Sequence, residues 1–227
     1  MQTAASLKGR PPAKKPKSIV NQKQTPWGMI VTAIVLVVFA GGIVTFAVTR
    51  GGGSSSSSSA YTQPELADAK KIPGLTYKPE PNHTHLTGVI KYDTTPPTGG
   101  NHSATWADCN TVYPNAIANE NAVHALEHGA VWITYNKDTL PADQVAILTK
   151  LVQSQQNVFM SPYPDLDVPI SLQFWDYQLK ITTPNANDAR ITEFISLLKK
   201  NLSYMPENAS CANAAFISNP STFGNPI

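Results

Sequence analysis

The sequence predicts an α+β domain placed after a single transmembrane helix. Three observations lead there. Residues 27–48 contain no charged side chain and are dominated by Val, Ile, Ala and Phe. Beyond residue 61 the composition becomes that of a globular domain able to bury a core. Within that domain, strand-like runs and amphipathic helical stretches mix without a strict βαβ rhythm.

The N-terminal 1–26 segment carries Lys8, Arg10, Lys14, Lys15, Lys17 and Lys23 and no acidic residue, and its prolines oppose a helix. The apolar run 27–48 would extend roughly 33 Å as a helix, enough for a bilayer core. Trp27 and Arg50 stand at its two ends, where interfacial residues belong. The run exceeds the usual signal-peptide core of about 7–15 residues and no A-x-A-like site follows, so an uncleaved signal anchor is expected. The basic flank places the N-terminus in the cytoplasm and the bulk of the chain outside. Residues 49–61 are a Gly/Ser linker and a flexible tether. The formal net charge of +2 conceals a division. Beyond residue 50 there are ten Lys and Arg against fifteen Asp and Glu, a net of −5, which argues against nucleic-acid binding by the domain.

In the 62–227 domain, residues 64–70 suggest a short helix. His85–Tyr92 reads as a strand, rich in β-branched and aromatic residues. Prolines and glycines make 94–104 a loop. Glu120–His128 reads as a short helix with Asn119 as N-cap and Gly129 as its stop. Ala130–Tyr135 follows as a central strand. Pro141–Gln155 is an amphipathic helix with Val145, Leu148, Leu151 and Val152 on one face. Asn157–Met160, Ile170–Trp175 and Tyr177–Ile181 read as strands. Asn187–Leu202 closes the series as a helix with Ile191, Phe194, Ile195 and Leu198 inward.

The two cysteines, Cys109 and Cys211, both lie beyond the apolar run. In an oxidising compartment they are expected to pair, closing a loop of about 100 residues worth about 4–5 kcal/mol in the chain-entropy model. Free thiols or a redox pair are the alternatives, although the spacing is not C-x-x-C.

All five histidines fall between positions 83 and 128. His124 and His128 are one helical turn apart, the spacing by which a helix offers two imidazoles to one metal. With Glu127 between them they match H-x-x-E-H, the inverted zinc-peptidase pattern, for which Glu193 would be the distant acidic ligand. Such peptidases are much larger, so the match speaks for helix geometry rather than proteolysis. His83 and His85 share one face if the strand begins that early, and His102 follows a Gly-Gly turn. If these segments converge, His124 and His128 come first as ligands, then His102 and His85, then His83. Imidazole suits zinc or copper among other transition metals. Glu127 would orient an imidazole, or act as a general base, the one catalytic candidate. A polar site without metal, or histidines with only a structural role, would fit the same pattern. Trp106, Trp132 and Trp175 read as core.

Particular blocks resemble a known family. Pro96-Pro97-Thr98-Gly99-Gly100-x-His102, Trp106-x-x-Cys109-x-x-x-Tyr113, the run Asn119 to Tyr135, Ser161-Pro162-Tyr163-Pro164 and Pro206-Glu207-x-x-x-Cys211 look like the bacterial "domain of unknown function 3105" family. The resemblance covers residues 62–211 and is most specific over Val123–Tyr135. It implies a basic tail, one span and an outward domain at the bacterial plasma membrane, and it supplies no reaction. Two functions are carried forward: a membrane-anchored cell-envelope protein with a histidine-lined metal site, and a non-enzymatic accessory module of an envelope protein complex.

Overall fold

The computed structural model describes residues 63–201, 207 and 209–226. The basic tail, the apolar run 27–48 and the Gly/Ser linker lie outside these residues. Among the described residues no helix is long and apolar enough to cross a membrane.

A five-stranded mixed sheet forms the centre. Its strands are β1 (Leu75–Tyr77), β2 (Val131–Tyr135), β3 (Val158–Pro162), β4 (Ile170–Phe174) and β5 (Tyr177–Ile181), in the order β1-β5-β4-β2-β3. The β2–β3 pair is parallel and the other three pairs are antiparallel. The helices are α1 (Asn119–Glu127), α2 (Ala142–Gln153), α3 (Ala189–Leu198) and the short α4 (Ala214–Ser218). This is the α+β class expected, with one β-α-β unit, β2–α2–β3, inside it.

The strands β2, β3 and β4 are buried at every residue. Helices cover the sheet, which is why these strands read as continuous apolar runs rather than alternating ones. β5 alternates, with Tyr177, Leu179 and Ile181 inward. In α2, Leu148 and Val152 are buried, and Val145 and Leu151 pack at the margin. In α3 all four expected residues, Ile191, Phe194, Ile195 and Leu198, are buried. Asp188 caps α3 by accepting from the Arg190 backbone N–H at 3.0 Å.

Three local expectations are corrected. His85–Tyr92 is not a strand: it contributes only an isolated bridge, His85 opposite His102, and residues 82–89 are exposed. β-propensity fails there because no strand flanks the segment to pair with it. The strand in this part of the chain is β1, and in place of a helix over 64–70 there is a single 3₁₀ turn, Ala69–Lys71. Asn119 is the first helical residue rather than the cap; Ala118 holds that position without a side-chain bond.

Phe174 faces Tyr177 across the two-residue turn Trp175–Asp176 that joins β4 to β5. Asp176, at φ 68°, ties this tip to two other segments. Its carbonyl accepts from Lys78 N–H at 2.8 Å, its own N–H donates to the Thr98 carbonyl at 2.9 Å, and its Oδ1 accepts from Glu80 N–H at 2.7 Å. Oδ2 is buried without a hydrogen-bond partner.

Burial pushes the Asp176 carboxyl up to about 7, with the charge of Glu80 adding to the effect. The folded state therefore holds this proton more tightly than the unfolded chain. The associated stability is complete below about pH 4 and is lost as pH rises through about 7. Asp176→Asn keeps a residue that tolerates positive φ. Denaturant titrations of the two proteins are expected to differ by an amount that grows in the variant's favour, on the order of 3 kcal/mol from pH 4 to 8.

Candidate metal centre

Helix α1 is buried along its length, yet it carries a polar stripe. Glu120, Asn121, His124, Glu127 and His128 are all buried, at spacings that place them along one side. Ala122, Val123, Ala125 and Leu126 occupy the opposite, core-facing side. The stripe faces the segment 102–107. Asn121 Nδ2 donates to the Thr105 carbonyl at 2.6 Å, and Ala107 N–H donates to the Asn121 carbonyl at 2.9 Å.

The helix ends in a Schellman motif. Gly129 sits at φ 81°, its N–H bonds to the Leu126 carbonyl, and Ala130 N–H bonds to the Ala125 carbonyl. The turn sends the chain directly into β2 and leaves His128 at the helix terminus. There Lys200 Nζ donates to the His128 carbonyl at 2.7 Å.

Four of the five histidines gather here. Ring centroids are 4.7 Å apart for His102 and His124, 4.8 Å for His85 and His124, 5.0 Å for His85 and His102, and 4.6 Å for His124 and His128. His102 reaches the site because Gly99 approaches closely: a Cβ there would lie 3.0 Å from Glu80 and 3.2 Å from Trp175. Two backbone bonds align the strap 81–89 beside it, Leu86 N–H to the His102 carbonyl at 2.7 Å and His102 N–H to the Thr84 carbonyl at 3.1 Å. This pairing carries His85 to the site.

Both inner imidazoles are oriented by main chain. His102 Nδ1 lies 2.8 Å from the Gly100 carbonyl, and His124 Nδ1 lies 2.7 Å from the Ser103 carbonyl. A carbonyl only accepts, so each Nδ1 carries a proton, and in the neutral ring Nε2 is left with a lone pair. His102 Nε2 lies 2.9 Å from Glu127 Oε2, and His83 Nδ1 lies 3.4 Å from Glu127 Oε1. Despite the short distance, His102 Nε2 and both Glu127 oxygens are buried without a hydrogen bond of ordinary geometry. Buried polar atoms left this way call for a partner such as an ion.

Among the described residues, two overlapping groups of donor atoms could hold a metal ion: His85, His102, His124 and Glu127, and His124, His128 and Glu207. Within each group the donor atoms lie within 4.8 Å of one another. His83 is near Glu127 but belongs to neither group, and its side chain is 45% exposed. Glu193 is elsewhere, lining a surface cleft with Asp68 and Lys71. The acidic residue beside His128 is Glu207, whose Oε2 lies 3.5 Å from His128 Nε2 and whose N–H donates to the Glu127 carbonyl. Trp106 is corrected too. It is half-buried and packs on His124 and His128, with centroids at 5.4 and 5.1 Å, whereas Trp132 and Trp175 are in the core as expected. Glu207 is far from the histidines in sequence and Trp106 lies in a loop without a regular period, so periodicity had no means of finding them.

Cys109 and Cys211 form a disulfide with Cα atoms 5.4 Å apart. Asp108 reinforces it, with Oδ2 accepting from Asn213 N–H at 2.8 Å. The C-terminal segment is thereby tied to the loop that passes over the histidines.

The family model described as "Protein of unknown function (DUF3105)" matches residues 83–213, more than half of the chain. The chain belongs to this family. No curated protein and no solved structure matches it. The matched DUF3105 region contains all five histidines, Glu127, Glu207 and both cysteines.

Burial, with the neighbouring His102 next in weight, lowers the His124 pKa to about 3. The unfolded chain binds this proton more readily than the folded one. Stability is complete above about pH 6.5 and falls with acidification toward pH 3, opposite in sign to Asp176 over part of the same range. In metal-free protein, His124→Gln is expected to remove a slope on the order of 3 kcal/mol between pH 6.5 and 3, read as the difference from wild type by denaturant titration.

Proposed function

We propose that this chain is a membrane-anchored protein of the bacterial cell envelope whose outer domain binds one transition-metal ion, zinc or copper, through the histidine cluster. One observation carries the metal reading: His102 Nε2 and both Glu127 oxygens are buried, adjacent and without hydrogen bonds, beside imidazoles whose Nδ1 protons are committed to backbone carbonyls. A cation would satisfy all of these lone pairs together. The Nδ1–carbonyl bonds are the outer contacts that orient metal-ligating histidines.

The donor chemistry supports the choice of metal. Three imidazoles and a carboxylate suit zinc or copper, and no thiolate is offered because both cysteines are paired. In a tetrahedral set with bonds of about 2.0–2.1 Å, ligand atoms stand about 3.3 Å apart. The inner group, spread over up to 4.8 Å, would close on binding. His85, on the exposed strap, is the ligand with most freedom to move. Glu127 serves here as a ligand or a carboxylate orienting one, rather than as a general base. The membrane anchor and the outward orientation are supported by the apolar run 27–48 and its basic flank.

A second reading, an accessory module docking on an envelope complex, is favoured by one feature. Leu86 and Val89 are 43% and 70% exposed on the strap that carries His85. Leu86 lines a cleft of about 200 Å³ together with His85, Ser103, Thr105 and Pro226.

Metal analysis of the full-length chain tests the leading reading. It is expected to retain one zinc or copper ion per chain after purification or reconstitution. His124→Ala and His102→Ala should weaken binding by about 10–100-fold, the loss typical when an ordering partner or ligand of a metal site is removed. An absence of stoichiometric metal and of affinity for either added ion would sink the reading. Retained metal binding by Leu86→Ser/Val89→Ser, with loss of a defined membrane partner, would instead support the docking module alongside it.

A further inference from the structure

We propose that the histidine cluster provides two alternative stations for a single ion, an outer one built from Glu207 and His128 and an inner one from His102, Glu127 and His85, with His124 the shared ligand that passes the ion between them. The inference rests on the metal-binding reading above and adds a route and a new ligand, Glu207.

The geometry leads here in three steps. First, the two donor groups overlap at one residue, His124. Second, His124 has one nitrogen to offer. Its Nδ1–H is committed to the Ser103 carbonyl at 2.7 Å, so only the Nε2 lone pair is available. Bridging two ions would require removing that proton and abandoning the bond. Both groups therefore cannot be filled through His124 at once. Third, each group opens to solvent through one member. Glu207 is 49% exposed in the first and His85 lies on the exposed strap in the second, while His128, His124, His102 and Glu127 between them are buried. The sequence Glu207, His128, His124, then His102 and Glu127 runs from solvent to interior through donor atoms only.

Ligand number gives the transfer its direction. The outer group has three donors and the inner four. An ion moving inward exchanges His128 and Glu207 for His85, His102 and Glu127 while keeping His124. The neutral His102 ring, with its Nδ1–H on the Gly100 carbonyl, offers Nε2 as its ligand atom. The carboxylate of Glu207 supplies negative charge at the solvent end, where it raises the encounter rate of a cation. Trp106 packs on both His124 and His128, the two rings between which the ion would pass.

Zinc alone is the probe, added to chelator-stripped full-length chain, with uptake followed by competition with a chromogenic zinc chelator. Wild type should bind one zinc. Glu207→Gln should also bind one zinc but acquire it about tenfold more slowly, since it weakens the outer station and removes its negative charge. His102→Ala should still bind one zinc, held at the outer station at least about tenfold more weakly. Two zinc ions per wild-type chain would overturn the proposal, because His124 would not then be shared exclusively. So would an unchanged uptake rate in Glu207→Gln, or complete loss of zinc in a folded His102→Ala. One zinc with either of these last results leaves the metal site standing and removes only the two stations; no zinc in wild type removes both.

Discussion

A carboxylate taken out of water costs several kcal/mol unless charge or hydrogen bonds replace its hydration. Glu127 is 1% exposed and is donated no hydrogen bond of ordinary geometry; its neighbours are imidazole nitrogens. Much of the surrounding structure makes that burial tolerable. The helix bearing Glu127 turns its small apolar residues to the core and its polar ones to a loop held along it by backbone bonds. The same loop contributes His102, and the strap paired to it contributes His83 and His85. A cluster of lone pairs so placed would be repulsive if left alone. Its geometry is intelligible as a preorganised set of ligands, with the cost of assembling the polar groups met during folding rather than at binding.

The end of α1 shows how local rules serve the site. Gly129 closes the helix by a motif that needs positive φ, and the chain enters β2 at once. His128 is therefore held at the junction of helix and sheet, between Trp106 and Glu207. Lys200 donates to its carbonyl, and the disulfide holds the following C-terminal segment against the loop that carries Cys109. A short helix that could not persist alone is fixed by burial on every side, so its two histidines keep a defined spacing.

What was legible in the sequence follows from the range over which each signal acts. The facing of His124, Glu127 and His128 is a property of nine consecutive residues, and helical period reveals it. The apolar faces of α2 and α3, and the Gly129 stop, are equally local. His85–Tyr92 failed because strand propensity reports how a side chain fits a pleated, half-buried surface, and this segment has no neighbour to form one. Glu207 is separated from His128 by most of the domain's sheet and two helices, so only the closed chain reveals their proximity. Asp176 was passed over for a related reason. A turn aspartate is ordinarily solvent-exposed, and only the convergence of residues 78–80 and 98 on this hairpin buries it.

The division of the histidines between interior and surface has a physical consequence of its own. His102, His124 and His128 are buried and supported by helix and main chain, while His83 and His85 lie on a strap exposed from residue 82 to 89. A fully buried set of ligands would exchange an ion only as fast as the domain opened. A fully exposed set would be solvated, mobile and weak, because each side chain would be ordered at binding. Placing a rigid majority inside and one ligand on a strap held by two backbone bonds combines retention with access. Local opening of the strap breaks few buried contacts, so it lies at the low end of the domain's range of opening free energies. The strap is thus the part of the chain where exchange of an ion, or contact with a partner, can be coupled to the interior without disturbing the sheet.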